Sequence, residues 1–231
     1  MPRRARPRSP QDPDVTSLAA VLADSSRNAM LDVLLDGKAH PIGALARRSG
    51  VTAATASSHL RRMLSARLVV VTSVGRERHV RLASPDVAEV LERLAVLAAP
   101  QRSRTSELRF ARTCYDHLAG ALGVAVRVAL VDRGWLHATG DSFEPAPALF
   151  TWLAARGHPV AIAGRRPLSR SCLDWSERVP HVAGRIGAAI ANVFLDAAWV
   201  TRVRGTRALR LTARGRDAIT KELGVAGTSI G

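Results

Sequence analysis

The stretch PIGALARRSGVTAATASSHLRRML, residues 41–64, decides the reading of this chain. It divides at Gly50. Ahead of the glycine lies a short amphipathic helix. Behind it, Val51 and Thr52 lead into a second helix, AATASSHLRRML, whose free first-turn N–H groups the Thr52 hydroxyl can cap. Two short helices joined by a glycine-containing turn make a helix-turn-helix. In the second helix Ala56, Leu60 and Met63 or Leu64 share one face and suit a core. Thr52, Thr55, Ser57, Ser58, His59, Arg61 and Arg62 divide the other faces. Short hydroxyls, an imidazole and guanidinium groups are the chemistry that reads base edges and phosphates in a major groove. The bland alternative for the same residues is a solvated polar helix.

Working outward, Leu18, Val21, Leu22, Met30, Leu31, Leu34 and Leu35 recur at helical spacing, with a break near Ser25 and a stop at Gly37. That pattern predicts two consecutive helices. Downstream, Leu68–Thr72 is rich in β-branched residues, Val74-Gly75-Arg76 supplies a turn, and His79–Leu82 alternates. This is a two-stranded wing. It carries Arg76, Arg78 and Arg81, placed for phosphate or minor-groove contact. Pro85 opens a further helix, DVAEVLERLAVLAA, that ends before Pro100. Residues 15–98 therefore read as a winged helix-turn-helix that binds double-stranded DNA.

Charge agrees with such a partner. The 231 residues hold 34 basic and 19 acidic side chains, a net charge of +15, and a polyanion that binds releases its counterions. Codon bias in a GC-rich genome explains why only Lys38 and Lys221 are lysines; it does not explain the shortage of carboxylates. Residues 1–14 hold four prolines and four arginines and read as a disordered basic arm. No run of 18 apolar residues and no signal-peptide pattern occurs, so the expected partners exclude a membrane and the expected location is the cytoplasm.

The polar segment PQRSRTSE at 100–107 marks a boundary, so that 99–107 is a linker and 108–231 a second domain. Within it, HLAGALGVAVRVALVDRGWL at 117–136 realigns with HVAGRIGAAIANVFLDAAWV at 181–200. Seven of the twenty positions are identical, among them His117/His181, Gly120/Gly184, Gly123/Gly187 and Trp135/Trp199. A match of that density implies internal duplication. Each copy is followed by a closing amphipathic segment, and the second shows strand, turn at Arg204-Gly205-Thr206, strand and helix. The expected fold is mainly α with small β wings (α+β): the winged module plus a pseudo-duplicated helix-and-hairpin domain, with degenerate winged helices as one version of it. The repeated AGxxG segments are expected to let two helix backbones approach closely.

The opening ADSSRNAMLDVLLDG, the helix-turn-helix and the wing VVVTSVGRERHVRL, in that order, resemble the ArsR family of winged-helix repressors. The resemblance covers about a third of the chain. It implies a homodimer paired through the first and last helices of the module, on a pseudo-palindromic operator. Sensing sites of metal-responsive members are missing: no cysteine precedes residue 114, and the helix after Pro85 has no histidine. Arg67 stands where the family usually has glycine, at some cost if its φ is positive. Any effector must then be read by the carboxy-terminal domain.

A candidate effector site there comprises Cys114, His117, Cys172, Asp174 and His181. Cys114 and His117 are spaced i, i+3 and are expected on one helical face. If the repeats pack about a pseudo-axis, two thiolates and two imidazoles converge, a set suited to Zn²⁺ or another soft or borderline ion, with Asp116 and Asp174 as ligands or orienters. A thiol redox switch and plain packing are the alternatives, and Trp135, Trp152, Trp175 and Trp199 leave an apolar effector pocket open. No phosphate loop, nucleophile elbow or paired carboxylates support an enzyme. The reading is a DNA-binding regulator, a homodimeric repressor modulated by a metal or small ligand; a ligand-independent architectural protein is the competitor.

Overall fold

The computed structural model describes residues 14–75, 77–98 and 106–225. Residues 1–13 of the expected arm, Arg76 at the wing tip and linker residues 99–105 lie outside the described residues.

The amino-terminal module runs α1 (Val15–Leu22), α2 (Ser25–Leu34), β1 (His40–Pro41), α3 (Ile42–Arg48), α4 (Ala53–Ser65), β2 (Val69–Val74), β3 (Glu77–Leu82) and α5 (Pro85–Leu97). Except for α3, its helices start where short polar side chains satisfy first-turn donors. Asp24 accepts from Arg27 N at 2.9 Å, Thr52 from Thr55 N at 3.1 Å and Ser84 from Val87 N at 3.3 Å. The strands pair antiparallel in the order β1-β3-β2, with Val69 opposite Leu82 and Val71 opposite Val80. This register drops Val69, Val80 and Leu82 onto a core of Met30, Leu31, Leu34, Leu45, Ala56, Leu60 and Met63. The module is a winged helix-turn-helix, with α3 and α4 as the two helices and β2-β3 as the wing. Arg67, at the exit of α4, has φ +57°, a conformation that costs a side chain with a Cβ about 1 kcal/mol.

Residues 106–225 begin with α6 (Ser106–Phe110) and then build one unit twice. The first copy is β4 (Arg112–Cys114), β5 (His117–Ala119), α7 (Gly120–Asp132), β6 (Leu136–Thr139), β7 (Ser142–Pro145) and α8 (Pro147–Ala154). The second is β8 (Arg170–Leu173), β9 (Pro180–Ala183), α9 (Gly184–Asp196), β10 (Val200–Arg202), β11 (Leu209–Leu211) and α10 (Ala213–Leu223). The duplication thus reaches beyond the 20-residue windows in both directions. Each copy is hairpin, helix, hairpin, helix, and it differs from a winged helix by opening on strands.

Two expectations need correction. Cys114 and His117 do not share a helical face; they oppose each other across the β4-β5 pair, as Cys172 and His181 do across β8-β9. A spacing of three suits a helix and a two-residue hairpin turn alike, and Tyr115, with φ +60°, turns the chain back. The glycines also do different work. A Cβ on Gly123 would stand 2.6 Å from Leu118 O and 3.7 Å from the His181 β-carbon; one on Gly187 would stand 2.3 Å from Val182 O and 3.2 Å from the His117 β-carbon. They admit the preceding strand and the other copy's histidine rather than a second helix. Accordingly α7 packs on β9 and α9 on β5, each helix crossing to the opposite copy.

The core of this half gathers Leu122, Val126, Leu130, Ile186, Ile190 and Phe194 with Trp152 and Trp199. Ring centroids of Trp135, Trp152 and Trp199 follow one another at 6.0 and 6.2 Å, and Trp175 lies under the Arg112 guanidinium at 4.2 Å, so the indoles are engaged within the protein. Among the described residues no helix is long and apolar enough to cross a membrane.

Candidate metal centre and nucleic-acid interface

Because α7 and α9 exchange partners, the starts of β5 and β9 meet near the pseudo-two-fold axis. The pairing in each hairpin then brings one cysteine and one histidine from each copy to the same point. One donor atom from each of Cys114, His117, Cys172 and His181 lies within 4.8 Å of all the others. The sulfurs are 3.9 Å apart and the imidazole centroids 5.1 Å apart. Cys114 is 2% exposed and His181 1%; His117 is buried and Cys172 half-buried.

The electrostatics repeat with the fold. His117 Nδ1 faces Asp116 Oδ1 at 3.3 Å, and Arg166 clamps that carboxylate with both guanidinium nitrogens. His181 Nδ1 lies 3.0 Å from Asp174 Oδ2, a charge contact and not an aligned hydrogen bond. Asp174 Oδ1 accepts from Arg112 Nη2 at 2.8 Å and Ser176 N at 2.9 Å, and its Oδ2 from Gly120 N at 2.7 Å, so it also caps α7 of the other copy. Each imidazole is therefore turned by a carboxylate on Nδ1, while both Nε2 atoms are buried and have no hydrogen-bond partner.

Burial alone would raise both aspartates. His181 and Arg112 nevertheless hold Asp174 far below the usual carboxylate range, and Arg166 and His117 hold Asp116 down at about 2. His181, which burial would lower, is pushed up to about 9 by Asp174 and Cys172. The Cys114 thiol is raised by its contact with Cys172 and by desolvation, and that same contact, with the two histidines, favours the Cys172 thiolate.

A tetrahedral Zn²⁺ with Zn–S near 2.3 Å and Zn–N near 2.0 Å sets its sulfurs about 3.8 Å apart. The observed 3.9 Å matches that edge. Buried, unpartnered Nε2 atoms, with a carboxylate beside the far nitrogen of each imidazole, are what a metal-binding histidine requires. Of the five residues expected at this site, four come together as donors, and Asp174 stands behind His181. Arg112 and Arg166, which fix the carboxylates, are not apparent from the helix-centred repeat. The trace in sequence is the pair RTC at 112–114 and RSC at 170–172, shifted from the main repeat because the second hairpin has the longer turn.

In the amino-terminal module, Thr52, Arg61, Arg62 and, on the wing, Arg78 are exposed; Thr55, Ser57 and Ser58 are half-exposed on α4. Thr52 spends its hydroxyl oxygen on the cap, and Ser57 Oγ donates to Ala53 O at 2.9 Å. His59 differs from the expectation. Its ring turns toward α2, 3.4 Å from Arg27 Nη1 and 3.8 Å from Asp24, and fastens α4 to that helix.

A helix-turn-helix with a wing is the build of a DNA-binding module. No family model matches the chain. It is 39% identical over 223 residues to YdfF of Bacillus subtilis strain 168, an HTH-type transcriptional regulator, and the match spans 93% of this chain and 99% of YdfF. The chain belongs to this family of HTH-type transcriptional regulators. Solved structures match its amino-terminal module. A fragment (residues 1–100) of a possible transcriptional regulatory protein from Mycobacterium bovis is 30% identical, with 36% of this chain and 88% of that one covered and a TM-score of 0.34. The cadmium sensor CMTR of Mycobacterium tuberculosis is 35% identical over 39% of this chain and 94% of that one, with a TM-score of 0.32.

Proposed function

We propose that this regulator is a homodimeric repressor that binds a pseudo-palindromic operator, and that its DNA affinity is set by a metal ion held at Cys114, His117, Cys172 and His181. The observation that carries the metal reading is the closed set of two sulfurs and two imidazole nitrogens within 4.8 Å of one another. Two thiolates with two imidazoles favour Zn²⁺ or a softer divalent ion over Mg²⁺ or Ca²⁺. Four protein donors leave no open position for substrate, which suits sensing or structure and not hydrolysis. Dimerisation is supported by α5, where Val90, Leu94 and Leu97 form an exposed apolar stripe, Leu97 at 83% exposure, and by exposed Val15 on α1. Thr52, Thr55, Ser57, Ser58, Arg61, Arg62, Arg76 and Arg78 are the side chains assigned to DNA.

The test is elemental analysis of the purified full-length protein beside a Cys114→Ser, Cys172→Ser variant, followed by mobility shifts on its own promoter DNA with and without a chelator. Bound zinc that the variant loses, and a DNA affinity that the chelator changes, are the expected results. Metal content equal in the two proteins would end the metal reading. The 3.9 Å sulfur contact also supports a second reading, in which a peroxide-class oxidant takes two electrons from the thiols and closes a Cys114–Cys172 disulfide. A peroxide-dependent loss of two free thiols, in protein that never binds metal, would favour it.

A further inference from the structure

Helix α5 is held on one face by the β8-β9 hairpin and by Arg207, which reaches the first hairpin through Thr113. Arg170, two residues before Cys172, pairs with Glu89. Arg178, in the turn between Cys172 and His181, donates to Val96 O at 2.6 Å. Arg207 pairs with Glu92 and donates to Thr113 O at 3.2 Å, on the residue before Cys114. Glu89, Glu92 and Val96 fall at i, i+3 and i+7, one face of the helix. Val90, Leu94 and Leu97 occupy the opposite side and are exposed. A further contact comes from the first hairpin's turn, where Tyr115 N donates to Leu35 O at 2.7 Å, just past the end of α2.

We infer that α5 is the transmission element: the ion, by tying the β4-β5 and β8-β9 hairpins together, fixes the three-point grip on one face of α5, and the other face sets how a second copy of this chain seats and how far apart the two α4 helices stand. The inference rests on the metal-controlled reading above and names its route. Without the ion the two hairpins are joined only through protein contacts, so the β8-β9 anchors, Arg170 and Arg178, shift as a unit relative to the Arg207 anchor beside β4. The helix they hold then rocks against its partner, a rigid-body change of the kind that interfaces amplify. Allosteric couplings of this type change affinity by roughly 5- to 150-fold.

The experiment compares the full-length wild type with an Arg170→Gln, Arg178→Ala double variant. Neither residue is a metal donor or lies on the DNA face. Zn²⁺ stoichiometry and promoter affinity are measured on chelated and zinc-loaded protein, and amide hydrogen exchange across α5 is followed in both states of the wild type. Wild type is expected to change its DNA affinity about tenfold with zinc and to gain protection in α5. The double variant is expected to bind the same amount of zinc and change its affinity less than about twofold. A double variant that binds zinc and keeps the tenfold response overturns the route while metal control stands. Unchanged α5 exchange in the wild type, alongside a normal response, also overturns it. A wild type whose DNA affinity ignores zinc removes the reading on which the inference rests, and the inference with it.

Discussion

Removing Glu92 should be among the most damaging single changes in this protein. Its side chain and that of Arg207 are each 2% exposed, and the pair joins α5 to the loop between β10 and β11. Burial disfavours the charged guanidinium; Glu92, with Asp32 at 3.3 Å, more than offsets that and raises its pKa. Glu92→Ala leaves that cation sealed with only Asp32 and Thr113 O for company. Breaking one side of a buried pair typically costs about 3–5 kcal/mol. In a chain of this size each kcal/mol moves Tm by roughly 2–4 °C, so a drop of about 6–20 °C is expected in calorimetry. Replacing both partners, Glu92→Leu with Arg207→Met, removes the unpaired charge and the desolvation penalty together. Most of the loss should return, because Asp32 is 47% exposed and can hydrate itself. A single variant within about 1 kcal/mol of wild type, or a double variant no better than the single, would refute the account of this pair.

Arg67→Gly relieves a left-handed backbone and should raise stability by about 1 kcal/mol in urea titration, with no change in DNA affinity. Excess Zn²⁺ at about 100 times its Kd should stabilise the protein by about 2.7 kcal/mol in thermal melts, and the Cys114→Ser, Cys172→Ser variant should show no such gain. Alanine at Arg61 or Arg62 should weaken binding to all duplexes and lower the salt slope by about 1 each, whereas changes at Ser57 or Ser58 should shift base preference; identical effects at the two pairs would undo the division of roles. Burial raises Asp36, but His40, the Lys38 amide and Arg48 together hold its carboxyl below the usual range. The folded-state value is thus depressed, so its contribution is full above the unfolded value and disappears as pH falls through the folded one. Urea titrations at successively lower pH should show Asp36→Asn with a flatter acid dependence than wild type.

The amino-terminal module was legible because its signals are local. Thr52, Ser84 and Pro85 mark helix starts, Gly37 a stop, and the alternation at His79–Leu82 sets which face of the wing is buried. His59 was not, since its partners Arg27 and Asp24 sit on a different helix and no local pattern brings them together. In the second domain the repeat disclosed duplication and paired the two histidines. It did not disclose strand geometry at Cys114 and His117, where a three-residue spacing is common to a helix and a hairpin. The contact from Arg207 to Glu92 links residues 115 positions apart and left no mark in composition or period.

The duplication has a thermodynamic consequence. A two-fold donor set assembled from separate molecules disperses on dilution. Here the two cysteine–histidine hairpins belong to one polypeptide, so their meeting is unimolecular and the local concentration of one half around the other is fixed by the connecting chain. An ion bound there would therefore load independently of how many copies of the protein a cell contains, even where the proposed pairing through α5 would not. On the proposed metal-controlled reading, abundance and ion availability would be separate inputs to the same DNA-binding surface.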